Sequence, residues 1–313
     1  MALDLILFIA GLLLLYYGAE SLVSGSSRLA LSFGVRPLII GMTIVAFATS
    51  MPEMTVTLMA SLKGSSDIAA GNVIGSNIAN IGLILGVAAV LVPMGIAKSV
   101  LYRELPYMLA VSVVVYLLAS DGQLSFLDGL ILFSLLLVFL GYCLTVARRS
   151  YLSSQSDNED VEKEKKRRGS DWILIVVGIV GLCVGAEMMV RSAVSMARTF
   201  GISELVIAMS VVALGTSLPE LAASTVSAWK GEMDLSIGNV IGSNIFNLLF
   251  VLGVSPMIRP IAIDSSLLTV QIPVMLIFSF GLIIFVVRRK RLSRRSGALL
   301  LGGYVTFILS LFF

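Results

Sequence analysis

Two short stretches put carboxylates where the sequence is otherwise hydrocarbon. Ala48-Thr49-Ser50-Met51-Pro52-Glu53 lies inside the apolar run from Leu38 to Leu62, and Gly215-Thr216-Ser217-Leu218-Pro219-Glu220 lies inside a second such run. Proline has no backbone N–H, so a helix through either stretch leaves the carbonyl four residues earlier, that of Ala48 or Gly215, without its usual donor. Carbonyls around Ala46–Ser50 and Ala213–Ser217 can then turn toward a ligand. Thr49, Ser50, Thr216 and Ser217 add hydroxyl oxygens, and Glu53 and Glu220 add full charge one helical turn beyond Thr49 and Thr216. The inventory is carboxylate, carbonyl and hydroxyl, the set that hard cations such as calcium and sodium accept. The chain has no histidine and two cysteines, Cys143 and Cys183, both in apolar segments, which excludes most zinc and haem sites.

A second pair of motifs follows the first: GNVIGSNIAN at 71–80 and GNVIGSNIFN at 238–247. Ser76 and Asn80, and likewise Ser243 and Asn247, sit at i, i+4 on one helix face. A polar amide recurring beside a glutamate motif favours a ligand site. The glycines at 71, 75, 82, 86, 238, 242 and 253 instead fit close packing of membrane helices. A glutamate at mid-membrane costs several kcal/mol and marks a functional site by default. Glu20 and Glu187, without a helix break beside them, read as structural or gate residues. Asp67 and Asp234, after Lys63-Gly64 and Lys230-Gly231, read as helix-start residues.

The elements that must position these groups are membrane helices. Of the 313 residues 58% are hydrophobic and only 13% charged, against about 25% charged in soluble domains. Apolar runs long enough to cross a bilayer fill nearly the whole chain. The fold class expected is an all-α polytopic membrane protein with ten spans, near 3–25, 36–62, 67–93, 102–119, 126–147, 172–197, 203–229, 234–257, 266–287 and 297–312. The N-terminal segment reads as the first span and not as a removed signal peptide. Residues 153–170, SSQSDNEDVEKEKKRRGS, read as a flexible linker.

A shift of 167 residues superposes the motifs. From Thr43–Gly86 against Ser210–Gly253, 20 of 44 positions are identical, so the chain is a duplication: a first repeat at 1–147, a linker at 148–171 and a second repeat at 172–313. Five spans per repeat is an odd number, so the second copy enters the membrane from the opposite side, an arrangement found in transporters with the site where the repeats meet. Placing the N-terminus outside puts eighteen of the 22 basic residues on the inner side. That bias predicts both termini outside the cytoplasm and the linker within it; the membrane expected is the cytoplasmic membrane of a prokaryote.

The paired motifs, [AG]-T-S-x-P-E followed by G-N-x-x-G-S-N-I-x-N, resemble those of the sodium/calcium exchangers of the cation/calcium antiporter superfamily, prokaryotic type, across essentially the whole chain. The resemblance implies a core of spans 2, 3, 7 and 8 around clustered cation sites, with spans 1 and 6 sliding across it. It also implies that Glu53 and Glu220 hold calcium with Thr49 and Thr216. The carbonyls of Ala46 and Ala213, with Ser50, Ser217, Ser76 and Ser243, would complete sodium sites, and Asn80 and Asn247 would fill the central positions. Some members carry Asp where this chain has Asn247. With Asn in both copies, the fixed site charge is that of the two glutamates alone. One calcium ion is then neutralised, while about three sodium ions leave a net positive charge. That arithmetic favours electrogenic sodium exchange and argues against potassium dependence. The linker is too short for the regulatory domains of animal exchangers.

The expected function is therefore antiport of Na+ against Ca2+ by alternating access, as a functional monomer, with the two ions as substrates, the lipid bilayer as surroundings, no nucleic acid and no cofactor. Proton/calcium or potassium-dependent exchange by the same fold is the near alternative, because a glutamate in low dielectric can carry a proton. A cation channel with a glutamate ring is the alternative from another class. An enzyme is not expected, since no nucleophile–base pair or metal-hydrolase spacing is present.

Overall fold

The structure, a computed structural model, describes residues 2–154, 161–200, 213–288 and 290–311. Among the described residues the regular elements are helices, apart from four two-residue strands. The helices are α1 (Ala2–Ser32), α2 (Pro37–Thr49), α3 (Met51–Lys63), α4 (Ser66–Leu91), α5 (Val100–Asp121), α6 (Phe126–Ser154), α7 (Val161–Thr199), α8 (Leu218–Trp229), α9 (Met233–Ile258), α10 (Leu267–Val287) and α11 (Arg294–Ser310). Among the described residues seven helices are long and apolar enough to cross a membrane, or eight if α2 and α3 form one broken span. The expectation of ten exceeds that count for two local reasons. The seventh expected span begins at 203, and 201–212 lie outside the described residues; the tenth corresponds to α11, a helix of 17 residues.

The linker expectation needs correction. Helix α6 runs on to Ser154 and α7 starts at Val161, so described helix covers most of the segment read as flexible. Residues 161–168, VEKEKKRR, are strong helix formers, and their polarity does not prevent a helix from continuing into water.

Contacts divide the chain into two compact units: residues 1–49 with 144–239, and residues 50–143 with 240–313. In the first unit α1 and α7 pack as a long antiparallel pair through glycines. A Cβ built on Gly11 would lie 2.8 Å from the Gly185 carbonyl oxygen, and one built on Gly185 would lie 2.8 Å from the Gly11 oxygen. Gly18 meets the backbone at Gly178–Leu182, and a Cβ on Gly178 would lie 2.5 Å from the Leu22 nitrogen. Gly11 and Gly178 are copies of each other under the 167-residue shift, as are Gly18 and Gly185. Between helices of equal hydrophobicity to lipid, such close approach is the main source of association. Leu15, Leu22, Leu29, Leu182, Ala223 and Leu235 form the buried core beside this pair.

The second unit repeats the theme. Gly86 of α4 sits on the Gly297 oxygen of α11, and Gly129 of α6 on the Gly253 oxygen of α9. Two antiparallel ladders join its loops: β1 (Met94–Gly95) with β4 (Arg291–Leu292), and β2 (Gln123–Leu124) with β3 (Ile261–Ala262). These pairings too occur twice, once per copy of the sequence.

A methyl group at Gly178 therefore has no room, whereas one at Gly281, which meets nothing within 4 Å, does. Gly178→Ala is expected to lower stability by about 1–3 kcal/mol and Gly281→Ala to leave it level or slightly higher. Thermal unfolding of the two purified variants checks this; equal melting temperatures would mean that the α1–α7 contact is loose.

Candidate cation site

Each copy of the motif breaks its helix in the same way. Ser50 has φ −81°, ψ 3° and Ser217 has φ −87°, ψ 4°, the sparsely populated bridge region common at functional residues. The chain then restarts as α3 and α8, each with proline in its first turn, where the missing N–H costs nothing. Sequence reasoning placed the disruption at the carbonyls of Ala48 and Gly215. The structure centres it on the two serines and puts Glu53 and Glu220 in the first turn of the restarted helices. There the positive end of the helix dipole favours a carboxylate. Both glutamates are buried, at 1% and 0% exposure.

The first unit holds Ala46, Thr49, Thr216, Ser217 and Glu220. Ala213 opens a short helical turn, Ala213–Gly215. The Thr49 hydroxyl donates to Asn239 Oδ1 at 3.2 Å and lies 3.4 Å from the Ala46 carbonyl. Asn239 Nδ2 in turn donates to Ser224 Oγ at 2.8 Å, and Ser236 Oγ donates to the Ser224 carbonyl at 2.8 Å. Thr216 Oγ1 is buried and has no hydrogen-bond partner among the described residues.

The second unit holds Ser50, Glu53, Ser76, Asn80, Ser243 and Asn247, all buried. Ser76 Oγ donates to Glu53 Oε1 at 3.3 Å. Asn72 Nδ2 donates to Thr57 Oγ1 at 2.9 Å and to the Glu53 carbonyl at 3.2 Å. Asn80 Nδ2 donates to Asn244 Oδ1 at 3.1 Å, and Asn244 Nδ2 reaches Met108 Sδ at 3.4 Å. Asn80 and Asn247 each open a π-helical segment, Asn80–Ile84 and Asn247–Val251. Such segments recur at functional sites because they re-aim backbone groups. Asn80 Oδ1 and both ends of the Asn247 amide are buried without a hydrogen-bond partner among the described residues. Native interiors rarely leave such groups idle unless a ligand or ion completes them.

Four residues that the motif reading passed over hold this arrangement. Asn72 and Thr57, and their copies Asn239 and Ser224, form the same amide-to-hydroxyl bond in each repeat. Each hydroxyl lies one helical turn beyond a glutamate, so the bond fixes the carboxylate-bearing turn to the neighbouring helix. The signal for them in the sequence is the asparagine repeated after Gly71 and Gly238, within a glycine motif that suits packing. That packing expectation holds for Gly238, whose added Cβ would lie 2.6 Å from the Leu38 oxygen, and for Gly82, Gly86 and Gly253. It fails for Gly71 and Gly75, which meet nothing within 4 Å; small side chains there leave space instead of filling a contact. Glu20 accepts from Lys230 Nζ at 2.8 Å, while Glu187 pairs with Arg191 on its own helix. Asp67 and Asp234 fall in the first turns of α4 and α9, as expected of helix-start residues.

Replacing Asn239 by Ala removes one hydrogen bond from each of two buried hydroxyls, Thr49 and Ser224, and should cost about 1–3 kcal/mol. Thermal unfolding reads this directly; a melting temperature equal to that of the parent would show that the asparagine bridge is not holding the turn.

Comparison with known proteins identifies the family. The sequence profile of the family described as sodium/calcium exchanger protein matches residues 3–145 and 170–313. Inner membrane protein YrbG of Escherichia coli (strain K12) is 40% identical over 311 residues, covering 98% of this chain and 96% of the relative. Sodium/calcium exchanger MaX1 of Methanosarcina acetivorans is 31% identical, covering 99% of each. Among solved structures, the sodium-calcium exchanger NCX_Mj soaked with 10 mM Na+ and zero Ca2+ superposes with a TM-score of 0.87 at 34% identity, covering 99% of both chains. The chain is thus a multi-pass membrane protein and belongs to the sodium/calcium exchanger protein family.

Proposed function

We propose that this protein is a secondary antiporter that exchanges Na+ for Ca2+ across the cytoplasmic membrane by alternating access. The observation that carries the reading is the twofold helix break, with a buried glutamate in the first turn after Ser50 and again after Ser217. Ca2+ is held by Glu53 and Glu220 with Thr49 and Thr216. Na+ takes the carbonyls of Ala46 and Ala213 with Ser50, Ser217, Ser76 and Ser243, and Asn80 and Asn247 line the centre. Two carboxylates balance one Ca2+, whereas about three Na+ leave a positive charge, so exchange is electrogenic. The idle amide of Asn247 and hydroxyl of Thr216 support a role for both in binding a cation.

The architecture proposed is ten spans in two inverted repeats, with both termini outside, the 148–171 segment in the cytoplasm and a functional monomer. The antiparallel α1–α7 glycine pair and the twice-made contacts of the second unit support inversion. The repeats also differ in one respect that suits a carrier resting in one state. Gly238 is packed tightly against α2, while its copy Gly71 faces open space. In an inverted-repeat carrier, the two access states exchange the environments of the two copies.

Uptake of calcium-45 into proteoliposomes tests the coupling, with sodium, proton and potassium gradients imposed one at a time. Outward-directed sodium should drive uptake and the proton gradient should not; uptake indifferent to sodium would contradict the proposal, and uptake driven by protons would favour the proton-coupled reading. Glu53→Gln and Glu220→Gln are each expected to reduce sodium-driven uptake at least about a hundredfold, as loss of a charge-assisted ligand of about 3 kcal/mol implies. Near-normal uptake by either variant would remove that residue from the site.

A further inference from the structure

Away from the repeated motifs, the second unit contains a cavity of about 300 Å³ lined by Arg103, Glu104, Tyr107, Val138, Phe139 and Tyr142. Glu104 is only 3% exposed. Tyr142 donates its hydroxyl to Glu104 Oε1 at 3.2 Å, but Oε2 is buried without a hydrogen-bond partner among the described residues. No basic side chain among them forms an ion pair with Glu104, although Arg103 stands next to it in the chain and is exposed. Arg103 interacts with the Tyr142 hydroxyl and so stands one group away from this carboxylate; what Oε2 still lacks is a direct donor, and a buried acceptor without one is costly. A bare metal ion would find one carboxylate and little other oxygen. The walls are aromatic instead, with Tyr107 and Phe139 stacked at 5.5 Å between ring centroids. Carboxylate and ring faces together suit an organic ammonium group. A primary ammonium has N–H donors for Oε2; a quaternary one does not.

Position in the fold selects the carrier of that ammonium. Glu104 and Tyr142 each lie about 25 Å along their helices from the Asp121–Phe126 turn, close to the thickness of the hydrocarbon layer. The cavity is therefore at the membrane edge marked by Lys98 and Arg103, with Tyr102 and Val138 exposed beside it. Arg103 supplies a phosphate partner next to the ammonium partner. We propose that this cavity binds the headgroup of a membrane aminophospholipid, its primary ammonium on Glu104 and its phosphate on Arg103. The first repeat alone carries it, because the copies of Arg103, Glu104 and Tyr107 are Val270, Gln271 and Val274. The site is thus separate from the duplicated ion path, and its test does not depend on which ions are exchanged.

Native mass spectrometry of the detergent-purified protein, titrated with phosphatidylethanolamine, phosphatidylcholine or phosphatidylglycerol, decides the matter. Phosphatidylethanolamine should be retained as a single tight adduct, with retention about tenfold weaker in Glu104→Gln and in Arg103→Gln. The latter is a surface change that keeps the test available if the former folds poorly. Equal retention of the three lipids, or phosphatidylethanolamine retention unchanged in the variants, would overturn the proposal. So would equal binding of phosphoethanolamine without acyl chains, which would make the ligand soluble and not a lipid.

Discussion

A carboxylate inside a membrane has to be compensated by something, and the rest of this structure follows from how Glu53 and Glu220 are accommodated. Neither can be solvated by lipid, and a helix in regular geometry offers no free donors or acceptors to help. The break at Ser50 and Ser217 changes that. It restarts the helix so that the glutamate falls in a first turn, where unpaired N–H groups and the dipole favour negative charge. It also releases carbonyls on the preceding side, where they favour positive charge. One backbone device thus brings a carboxylate to a helix start and leaves oxygens on the preceding side. Proline stabilises the restart at no hydrogen-bonding cost, which accounts for its place one residue before each glutamate.

Holding such a break in register requires rigid neighbours. The amide-to-hydroxyl bonds from Asn72 to Thr57 and from Asn239 to Ser224 supply that, one per copy and both near 2.9 Å. Asn239 also orients the Thr49 hydroxyl by accepting its hydrogen, leaving the oxygen lone pairs for an ion. Glycine contacts between α1 and α7 do different work, since they let two long helices approach to backbone distance. The glutamates thus sit in a polar, bridged environment, while α1 and α7 join through a glycine seam.

The motifs, the duplication, the membrane character and the chemistry of the ligands were legible in the sequence, because each rests on residue type at fixed spacing. Pro52 and Pro219 disclosed the breaks, and the 167-residue shift disclosed that the breaks are copies. What was hidden depended on three-dimensional neighbours. Nothing in the order of residues separates Gly71, which faces open space, from Gly238, which carries a helix contact. Asn72 and Asn239 looked like part of a packing motif because their partners, Thr57 and Ser224, lie on another helix. The stretch at 161–168 is polar enough to suggest flexibility, yet its residues are strong helix formers. Glu104 has no signal in the sequence, since Phe139 and Tyr142 come to it from a different span and it has no acidic counterpart in the second repeat.

The account stands on Na+ and Ca2+ competing for the same buried oxygens, and equilibrium binding tests that without any assumption about movement. Calorimetric titration of Ca2+ into the purified protein, at rising Na+ with ionic strength held constant by choline, gives the apparent Kd directly. The account predicts one Ca2+ per chain and a Kd that climbs with Na+ more steeply than in direct proportion, since more than one Na+ must leave for each Ca2+ bound. A Kd unaffected by Na+ would mean that the two ions do not share the site, and the central claim would fall.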